Sequence, residues 1–360
     1  MSRPKEIVII GAGPSGLSMA IFLHELGYNP RIFDKKDKIS DYSKALGVNP
    51  RTLEIMQPFG ITNKFLANGR KMSAVNLWKA DKHIYKNDFT KVNSQYPFML
   101  IQPQKESEEI LLEEVRSRNI EIEYNSEFVK FNKSESKYSI TMKDKGLLEN
   151  NFDHIIGADG GGSKVRKQTG IEYRGYLYDE EWELYDIELD LDVNPDEGHI
   201  RLFPEGGMIM IRLKENIWRI AGNMLSILDY IPKSATTGKV HWESKFRINH
   251  KVAKKLTYDN IVLIGDAAHL HSPVGARGMN LGIEDAYISS KLIAENKLSD
   301  YSRIRIPYLN KTVNRINNIT MGMAGDSRMS RMFRNQIGNL SFIFPIVMPR
   351  VRDFVLGLDK

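Results

Sequence analysis

The sequence of 360 residues contains no cysteine. Disulfide bonds, thiolate catalysis and cysteine-ligated metal sites are therefore excluded, and the composition suits a reducing compartment such as the cytoplasm. Long hydrophobic runs are also missing. No stretch approaches the roughly 20 apolar residues that cross a membrane, and the longest candidate, 340–348, is interrupted by Pro345. Hydrophobic residues still make up 41% of the chain, which together with its length predicts two domains.

Acidic residues are scarce towards the C-terminus. Between 303 and 352 there are nine basic residues and one acid, Asp326, so this segment carries 9 − 1 = +8 while the whole chain carries +6. Such a segment can contact an anionic membrane surface or the phosphates of a small molecule, or it can simply form solvated helix faces. We expect no nucleic-acid partner, and we expect a cytoplasmic protein with at most a weak peripheral membrane contact.

A glycine-containing turn follows the first short apolar run, Ile7–Ile10. Helical spacing comes next, and a second apolar run at 31–34 ends on an acid. In a βαβ unit, such glycines let a pyrophosphate approach the helix N-terminus, and the acid accepts ribose hydroxyls. We therefore predict a dinucleotide site, formed by Gly11, Gly13, Pro14, Ser15, Gly16, Asp34 and Lys35.

A second strand–turn–helix pattern lies far along the chain, where the apolar run 261–264 is followed by Asp266. Two distant anchors suit a long ligand such as FAD better than NAD. Asp266 can bind ribityl hydroxyls, and a helix that begins near Gly278 can direct free amides at the flavin pyrimidine edge, where they favour reduced flavin. The predicted residues are Asp266, Pro273, Gly278, Met279 and Asn280.

A third glycine-containing segment, 157–166, contains Asp159 and Arg166. Three consecutive glycines after a buried strand indicate that backbone approaches something closely, although a simple loop is the alternative.

Together these motifs resemble those of the class A flavoprotein monooxygenases, the group of p-hydroxybenzoate hydroxylase. The resemblance covers 5–307. It implies that Gln104 contacts the flavin, and it adds Lys44 and Val129 to the cofactor site; Lys44 stands where the family usually has arginine. It also implies that NAD(P)H reduces the flavin, and that O2 then gives a flavin C4a-hydroperoxide that hydroxylates an aromatic substrate. Because the flavin performs the chemistry, no catalytic side chain is assigned.

The expected fold is α/β, a Rossmann-like FAD-binding domain with an inserted antiparallel-sheet substrate domain and a helical C-terminus. The cofactor domain is assigned to 1–71, 99–172 and 252–300, the substrate sheet to 72–98 and 173–251, and the helical region to 301–360. Met208, Met210 and Arg212 share one face of a predicted strand and are candidates to line the substrate pocket. His269 and His271 have no further ligands nearby in the sequence, so no metal site is predicted.

Two other functions remain open at this point. The chain could be a flavin-dependent reductase of an isoprenoid-type substrate, or a non-catalytic binding protein on the flavoprotein fold. The substrate is expected to be a small aromatic or lipophilic molecule.

Overall fold

A computed structural model of the chain describes residues 5–40, 45–143, 145–325 and 327–359. The helices in these ranges are α1 (Pro14–Glu25), α2 (Pro50–Met56), α3 (Thr62–Asn68), α4 (Gln104–Ser117), α5 (Lys164–Gln168), α6 (Gly278–Ala294), α7 (Asp300–Ala324), α8 (Arg328–Gln336) and α9 (Phe344–Val355).

The strands in the same ranges are β1 (Ile7–Ile10), β2 (Arg31–Phe33), β3 (Gly47–Val48), β4 (Arg70–Met72), β5 (Ala74–Lys79), β6 (Lys82–Asp88), β7 (Met99–Ile101), β8 (Ile122–Glu123), β9 (Phe128–Ser134), β10 (Lys137–Met142), β11 (Gly146–Phe152), β12 (His154–Gly157), β13 (Tyr173–Asp190), β14 (Glu197–Leu202), β15 (Gly207–Lys214), β16 (Ile217–Gly222), β17 (Thr236–Ala253), β18 (Thr257–Tyr258), β19 (Ile261–Leu263) and β20 (His269–Leu270).

The first layer is a six-stranded sheet in the order β18-β19-β12-β1-β2-β8. All pairs are parallel except β18 with β19, and Ile9 on the central strand lies beside Ile32 and Ile156. A parallel sheet is covered on both faces, so its strands are apolar throughout. Helix α1 is apolar on nearly all sides because it is enclosed between this sheet, α4 and α6. The carboxyl ends of β1, β2, β12 and β19 therefore lie along one edge.

The second layer is an eight-stranded sheet in the order β20-β17-β13-β16-β15-β14-β5-β6. Neighbouring strands are antiparallel except β14 and β5. Two smaller antiparallel sheets, β11-β10-β9 and β3-β7-β4, complete the strands. The segments 72–98 and 173–251 supply nearly all of the eight-stranded sheet.

The C-terminal region 300–355 is helical and packs on the eight-stranded sheet. A core of side chains that includes Leu77, Trp182 and Phe344 lies between them. No helix within the described ranges is long and apolar enough to cross a membrane. The mixed α/β class and the helical C-terminus predicted from the sequence are confirmed.

Candidate active site

The glycine turn between β1 and α1 is closely packed on one side and open on the other. A Cβ on Gly16 would lie 1.9 Å from the carbonyl oxygen of Gly11, and a Cβ on Gly11 would lie 2.3 Å from that of Ala158. A Cβ on Gly13 would have no neighbour within 4 Å. Helix α1 begins without a side-chain cap. Its positive N-terminal end therefore faces open space that suits an anion.

The Asp34 carboxylate at the end of β2 fixes this turn. Its two oxygens accept hydrogen bonds from the backbone N–H groups of Ala12, at 2.6 Å, and Lys36, at 2.8 Å. Because each carboxylate oxygen can accept two hydrogen bonds, Asp34 keeps capacity for further donors.

Asp266 occupies the corresponding position after β19. Its side chain keeps an exposed surface. Desolvation by the protein around it nevertheless raises the pKa of the carboxyl, and the nearby His269 partly offsets this rise. The preceding Gly265 has a φ of +58°, a left-handed conformation that favours glycine. Among the described residues, no salt bridge neutralises the Asp266 carboxylate.

A buried ionic network that the sequence analysis missed supports the Asp266 turn. Asp285 on α6 accepts a hydrogen bond from the backbone N–H of Gly265, at 3.1 Å, and lies 2.7 Å from Nε2 of His269. Arg305 on α7 donates from Nε to the other oxygen of Asp285, at 2.6 Å. Burial alone would raise the pKa of Asp285, but Arg305 and His269 outweigh it and lower the pKa to about 2. His269 is thus a structural residue of this network.

The glycine-containing segment 157–166 contacts the turn that follows β19. Arg166 is buried and donates to the carbonyl oxygens of Ala267, at 2.8 Å, and Gly161, at 2.9 Å. Asp159 caps α5 by accepting from the N–H of Lys164, at 2.7 Å, while its other oxygen is buried without a partner among the described residues. The segment is therefore more than a simple loop.

Gln104 and Asn280 lie on either side of this region and have different roles. Gln104 is the first residue of α4 and donates to Glu108, at 2.6 Å. Asn280 is buried; its Oδ1 accepts from the N–H of Asn49, at 3.0 Å, and its Nδ2 donates to the carbonyl oxygen of Gly47, at 2.8 Å. Its side chain therefore joins α6 to the segment 47–49.

One cavity of about 940 Å³ connects these groups and extends to the eight-stranded sheet. Twelve of the residues predicted for the cofactor site line it: Gly11, Gly13, Pro14, Ser15, Asp34, Lys35, Gln104, Asp159, Asp266, Pro273, Gly278 and Met279.

Three other predicted cofactor residues, all within the described ranges, do not line the cavity. Gly16 lies behind the turn, and the Asn280 side chain holds loops together, as described above. Val129 is exposed on β9, whereas its neighbour Phe128 lines the cavity because successive strand residues face opposite sides. Lys44 lies outside the described residues.

The far wall of the cavity is the inner face of the eight-stranded sheet. Ile209 and Ile211 on β15 line it, together with Ala221 on β16 and Leu184 on β13. Ala221 lies opposite both Ile209 and Leu184 in the ladder. A charged pair also lies at this wall. The buried Arg219 lines the cavity and donates to both carboxylate oxygens of Asp186, each at 2.8 Å.

The prediction that Met208, Met210 and Arg212 line the substrate pocket is wrong. The three do share one face of β15, but it is the opposite face. Met208 and Met210 are buried there in a separate small core with Trp218 and Ile220, and Arg212 is paired with Asp196 at 3.2 Å. The residues between them, Ile209 and Ile211, face the cavity, because side chains alternate along a strand.

Comparison with known proteins identifies the family. The family model described as "FAD binding domain" matches residues 5–222 and 223–315. The chain belongs to this FAD-binding family. Membership supports FAD as the cofactor of the cavity, and it confirms the resemblance to the flavoprotein monooxygenases.

Several relatives of this FAD-binding protein carry names of monooxygenases. A flavin-dependent monooxygenase of Mycobacteroides abscessus is 28% identical, with 84% of this chain and 71% of that protein covered. Pentachlorophenol 4-monooxygenase of Sphingobium chlorophenolicum is 27% identical, with 79% of this chain and 57% of that protein covered. The chain spans about three-fifths of the length of several such relatives.

Solved structures show the same fold. The p-nitrophenol 4-monooxygenase of Pseudomonas putida DLL-E4 matches with a TM-score of 0.86 at 19% identity, over 100% of both chains.

Residues of the cavity fit FAD on structural grounds. The open side of Gly13 and the uncapped end of α1 suit a pyrophosphate. The unpartnered oxygen of Asp159 and the Asp266 carboxylate are acceptors that need hydroxyl or amide donors.

Proposed function

We propose that the protein is an FAD-dependent monooxygenase that hydroxylates an aromatic or similarly activated small molecule with NAD(P)H and O2. The observation that carries this proposal is the single cavity, which begins at a dinucleotide-type turn and ends at an apolar sheet wall. A redox cofactor and an apolar substrate could therefore meet inside one enclosed space.

FAD would lie along the carboxyl edge of the parallel sheet. Asp34 would accept the adenosine ribose hydroxyls, and the first turn of α1, near Gly13 and Ser15, would face the pyrophosphate. Asp266 would accept ribityl hydroxyls, and the N-terminal end of α6 at Gly278 would face the flavin ring. Lys35, Gln104, Asp159, Pro273 and Met279 line the same path, and Lys44 is proposed to assist with a point charge.

The reaction would convert substrate C–H, O2, NAD(P)H and a proton into substrate C–OH, water and NAD(P)+. FAD, when bound, would supply this chemistry by taking a hydride from NAD(P)H and activating O2 at its C4a position. One oxygen atom is incorporated into the product and the other leaves as water, so atoms and electrons balance.

The chain's own residues would position the substrate and exclude water. Ile209, Ile211 and Leu184 offer aliphatic surface, and the charges of Arg219 and Asp186 neutralise each other. Burial lowers the pKa of His271, which also lines the cavity, to about 3, so its imidazole is neutral at physiological pH. Such a wall favours an apolar aromatic substrate, and no side chain is assigned as a general base.

The proposed domains correspond to the cofactor end and the substrate end of the cavity. The parallel sheet, with 1–71, 99–172 and 252–300, would form a Rossmann-like cofactor domain. The eight-stranded sheet, from 72–98 and 173–251, would form an inserted substrate domain.

The cofactor is tested by releasing it from purified protein with heat and identifying it chromatographically. We expect FAD, because Asp34 is placed to bind an adenosine ribose that FMN lacks. Recovery of FMN would contradict the proposal. Recovery of no flavin, even after reconstitution, would contradict it and would favour a non-catalytic binding protein.

The reaction is tested with a panel of phenols, larger polycyclic aromatics and isoprenoid alkenes. The expected result is substrate-dependent loss of both O2 and NADH or NADPH, with one 18O atom from labelled O2 in the product. NAD(P)H loss with a reduced product and no oxygen incorporation would instead identify a reductase.

A further inference from the structure

Helices α8 and α9, with the turn Ser341–Ile343 between them, expose an unusual amount of apolar side chain. Met329 is 83% exposed, Phe342 74%, and Met332 and Ile346 are each 67% exposed. We call these four residues, together with Val347, the apolar face. Exposed patches of this kind in proteins usually mark an interaction site.

The packing of α8 keeps these side chains outside. Arg334 is buried on its inner side and donates to the carbonyl oxygens of Phe203 and Gly325, at 3.0 and 2.7 Å, and of Pro204, at 3.0 Å. A guanidinium bound to three carbonyl groups fixes how the helix is rotated. Met329 and Met332 therefore cannot turn inward without breaking these bonds.

Both helices lie over the edge hairpin formed by β5 and β6. Lys79 donates to the carbonyl oxygen of Asn335 at the end of α8, at 2.5 Å. Phe344 in α9 contacts the ring of Tyr85, with centroids 5.6 Å apart, and Asn87 donates to the carbonyl oxygen of Met348, at 3.2 Å. Because the two helices rest on the same hairpin, their outer sides contribute to one surface.

Every charged residue from 327 to 350 is basic. The sequence contains no acidic residue from 327 to 350, and Arg328, Arg331 and Arg350 are exposed. Elsewhere in the C-terminal region the basic residues serve internal contacts: Arg305 pairs with Asp285, and Arg315 with Asp359. Part of the +8 charge of that region is therefore internal, and part of the remainder lies beside the apolar face at Arg328 and Arg350.

We propose that the apolar face, with Arg328 and Arg350 beside it, docks on an anionic lipid bilayer. Apolar side chains on the outer side of surface helices, flanked by cations, are features that place a helix at a lipid interface. A second copy of the chain is a poorer partner, because a symmetric contact would bring the arginines of both copies together.

The inner side of α9 adds a link to the cavity. Met348 lines the cavity, whereas Ile346 lies on the opposite side of the same helix and is exposed. Only the thickness of α9 separates the two. If the proposed function holds, this arrangement places the cavity next to a membrane that would concentrate a lipophilic substrate; the docking itself does not depend on that function.

Docking is measured by sedimentation of the 360-residue chain with vesicles of phosphatidylcholine, with and without phosphatidylglycerol, at low and moderate salt. We expect at least about tenfold stronger binding to the anionic vesicles at low salt, and weaker binding as salt screens the arginines. This assay needs no turnover, so a failure of the hydroxylase proposal leaves its outcome unaffected.

Two variants separate the contributions. Phe342→Asp with Ile346→Asp should abolish anionic binding, and Arg328→Gln with Arg350→Gln should reduce it about tenfold. The matched control is Leu225→Asp, which changes an 89% exposed leucine outside the face and should bind as the parent does. Circular dichroism and thermal melting check that every variant folds.

Three outcomes would overturn the proposal. The first is that no protein sediments with anionic vesicles at low salt. The second is equal binding by the parent and the Phe342→Asp, Ile346→Asp variant. The third is a concentration-dependent dimer that this variant dissociates, which would show that the face binds a second copy.

Discussion

The two ends of the cavity are lined by different kinds of protein group. At the parallel sheet, the wall consists of backbone at Gly11 and Gly13 and of a few carboxylates held in fixed positions. At the eight-stranded sheet, the wall is formed by side chains, many of them aliphatic, such as Ile209 and Ile211. Substitutions at the first end should therefore act through steric clash and buried charge and have large effects. Substitutions at the second end should act through shape and have small ones.

The largest effect should come from Asp285, which supports the parallel-sheet end. Asp285→Asn would leave Arg305, 2% exposed, without its main partner, and we expect a loss of about 3–5 kcal/mol in the free energy of unfolding. Urea unfolding measures this loss. Replacing both partners, Asp285→Asn with Arg305→Met, should recover part of it, and no recovery would show that the pair itself is not the cause.

The Asp285 carboxylate should also make the free energy of unfolding depend on pH in the acid range. Its pKa of about 2 lies below the usual value for aspartate, so its contribution to stability is complete above about pH 4 and is lost as the pH falls towards 2. Unfolding of the parent between pH 5 and about 2 should show this loss, and Asp285→Asn should lack that part of it. Identical pH profiles would argue against the Asp285–Arg305 interaction.

The two glycines of the first turn provide a matched pair. Gly16→Ala should cost about 3 kcal/mol, because its methyl group would meet the backbone carbonyl of Gly11. Gly13→Ala has open space and should fold with a change below about 1 kcal/mol, yet it should bind FAD more weakly. Thermal melting and FAD titration distinguish these results. Equal stability of the two variants would mean that the turn is less tightly packed than described.

Asp266→Ala should affect the cofactor and spare the fold. Loss of a charge-assisted hydrogen bond costs about 1.5–3 kcal/mol, which corresponds to roughly 10- to 150-fold weaker FAD binding. Stability without cofactor should not fall, because burial raises the pKa of this carboxyl and its charge is not stabilising there. FAD affinity equal to that of the parent would show that Asp266 does not contact the cofactor.

The smallest effect is expected at the sheet end. Ile209→Val removes one methylene from the cavity wall and should change the relative kcat/KM of a large and a small substrate by up to about tenfold. Met210→Leu, on the opposite face, should leave that ratio unchanged. Substrate ratios that respond to Met210 and not to Ile209 would reverse the assignment of the two faces of β15.

The contrast also explains what the sequence could predict. Gly11, Gly13 and Asp34 are recognisable because a tight turn, a close backbone approach and an acid at a strand end leave a local pattern. The segment Gly207–Lys214 shows why the substrate wall is harder to predict. Methionine and isoleucine alternate there, so both faces are apolar, and only the tertiary packing determines which one meets the cavity.

Long-range partners were beyond local patterns for a related reason. Asp285 follows Glu284 in a largely apolar helix, and no local pattern shows which partner either acid binds. Arg305 comes from the next helix and His269 from strand β20. The 18-residue strand β17 was also missed. Its even positions from Val240 to Ile248 include most of its apolar side chains, and polar or charged residues occupy the odd positions between them, so the alternation of a half-buried strand is present in the sequence but was not used.

Arg166 has a consequence for how the chain acquires its cofactor. Its guanidinium clasps Gly161 and Ala267, two loops about a hundred residues apart, and stacks over Tyr173 at 3.8 Å. The groove between these loops is thus preorganised by the polypeptide itself. We expect FAD to bind a preorganised site, so that little conformational entropy is lost in ordering the loops. The flavin could then be removed and restored without refolding the chain.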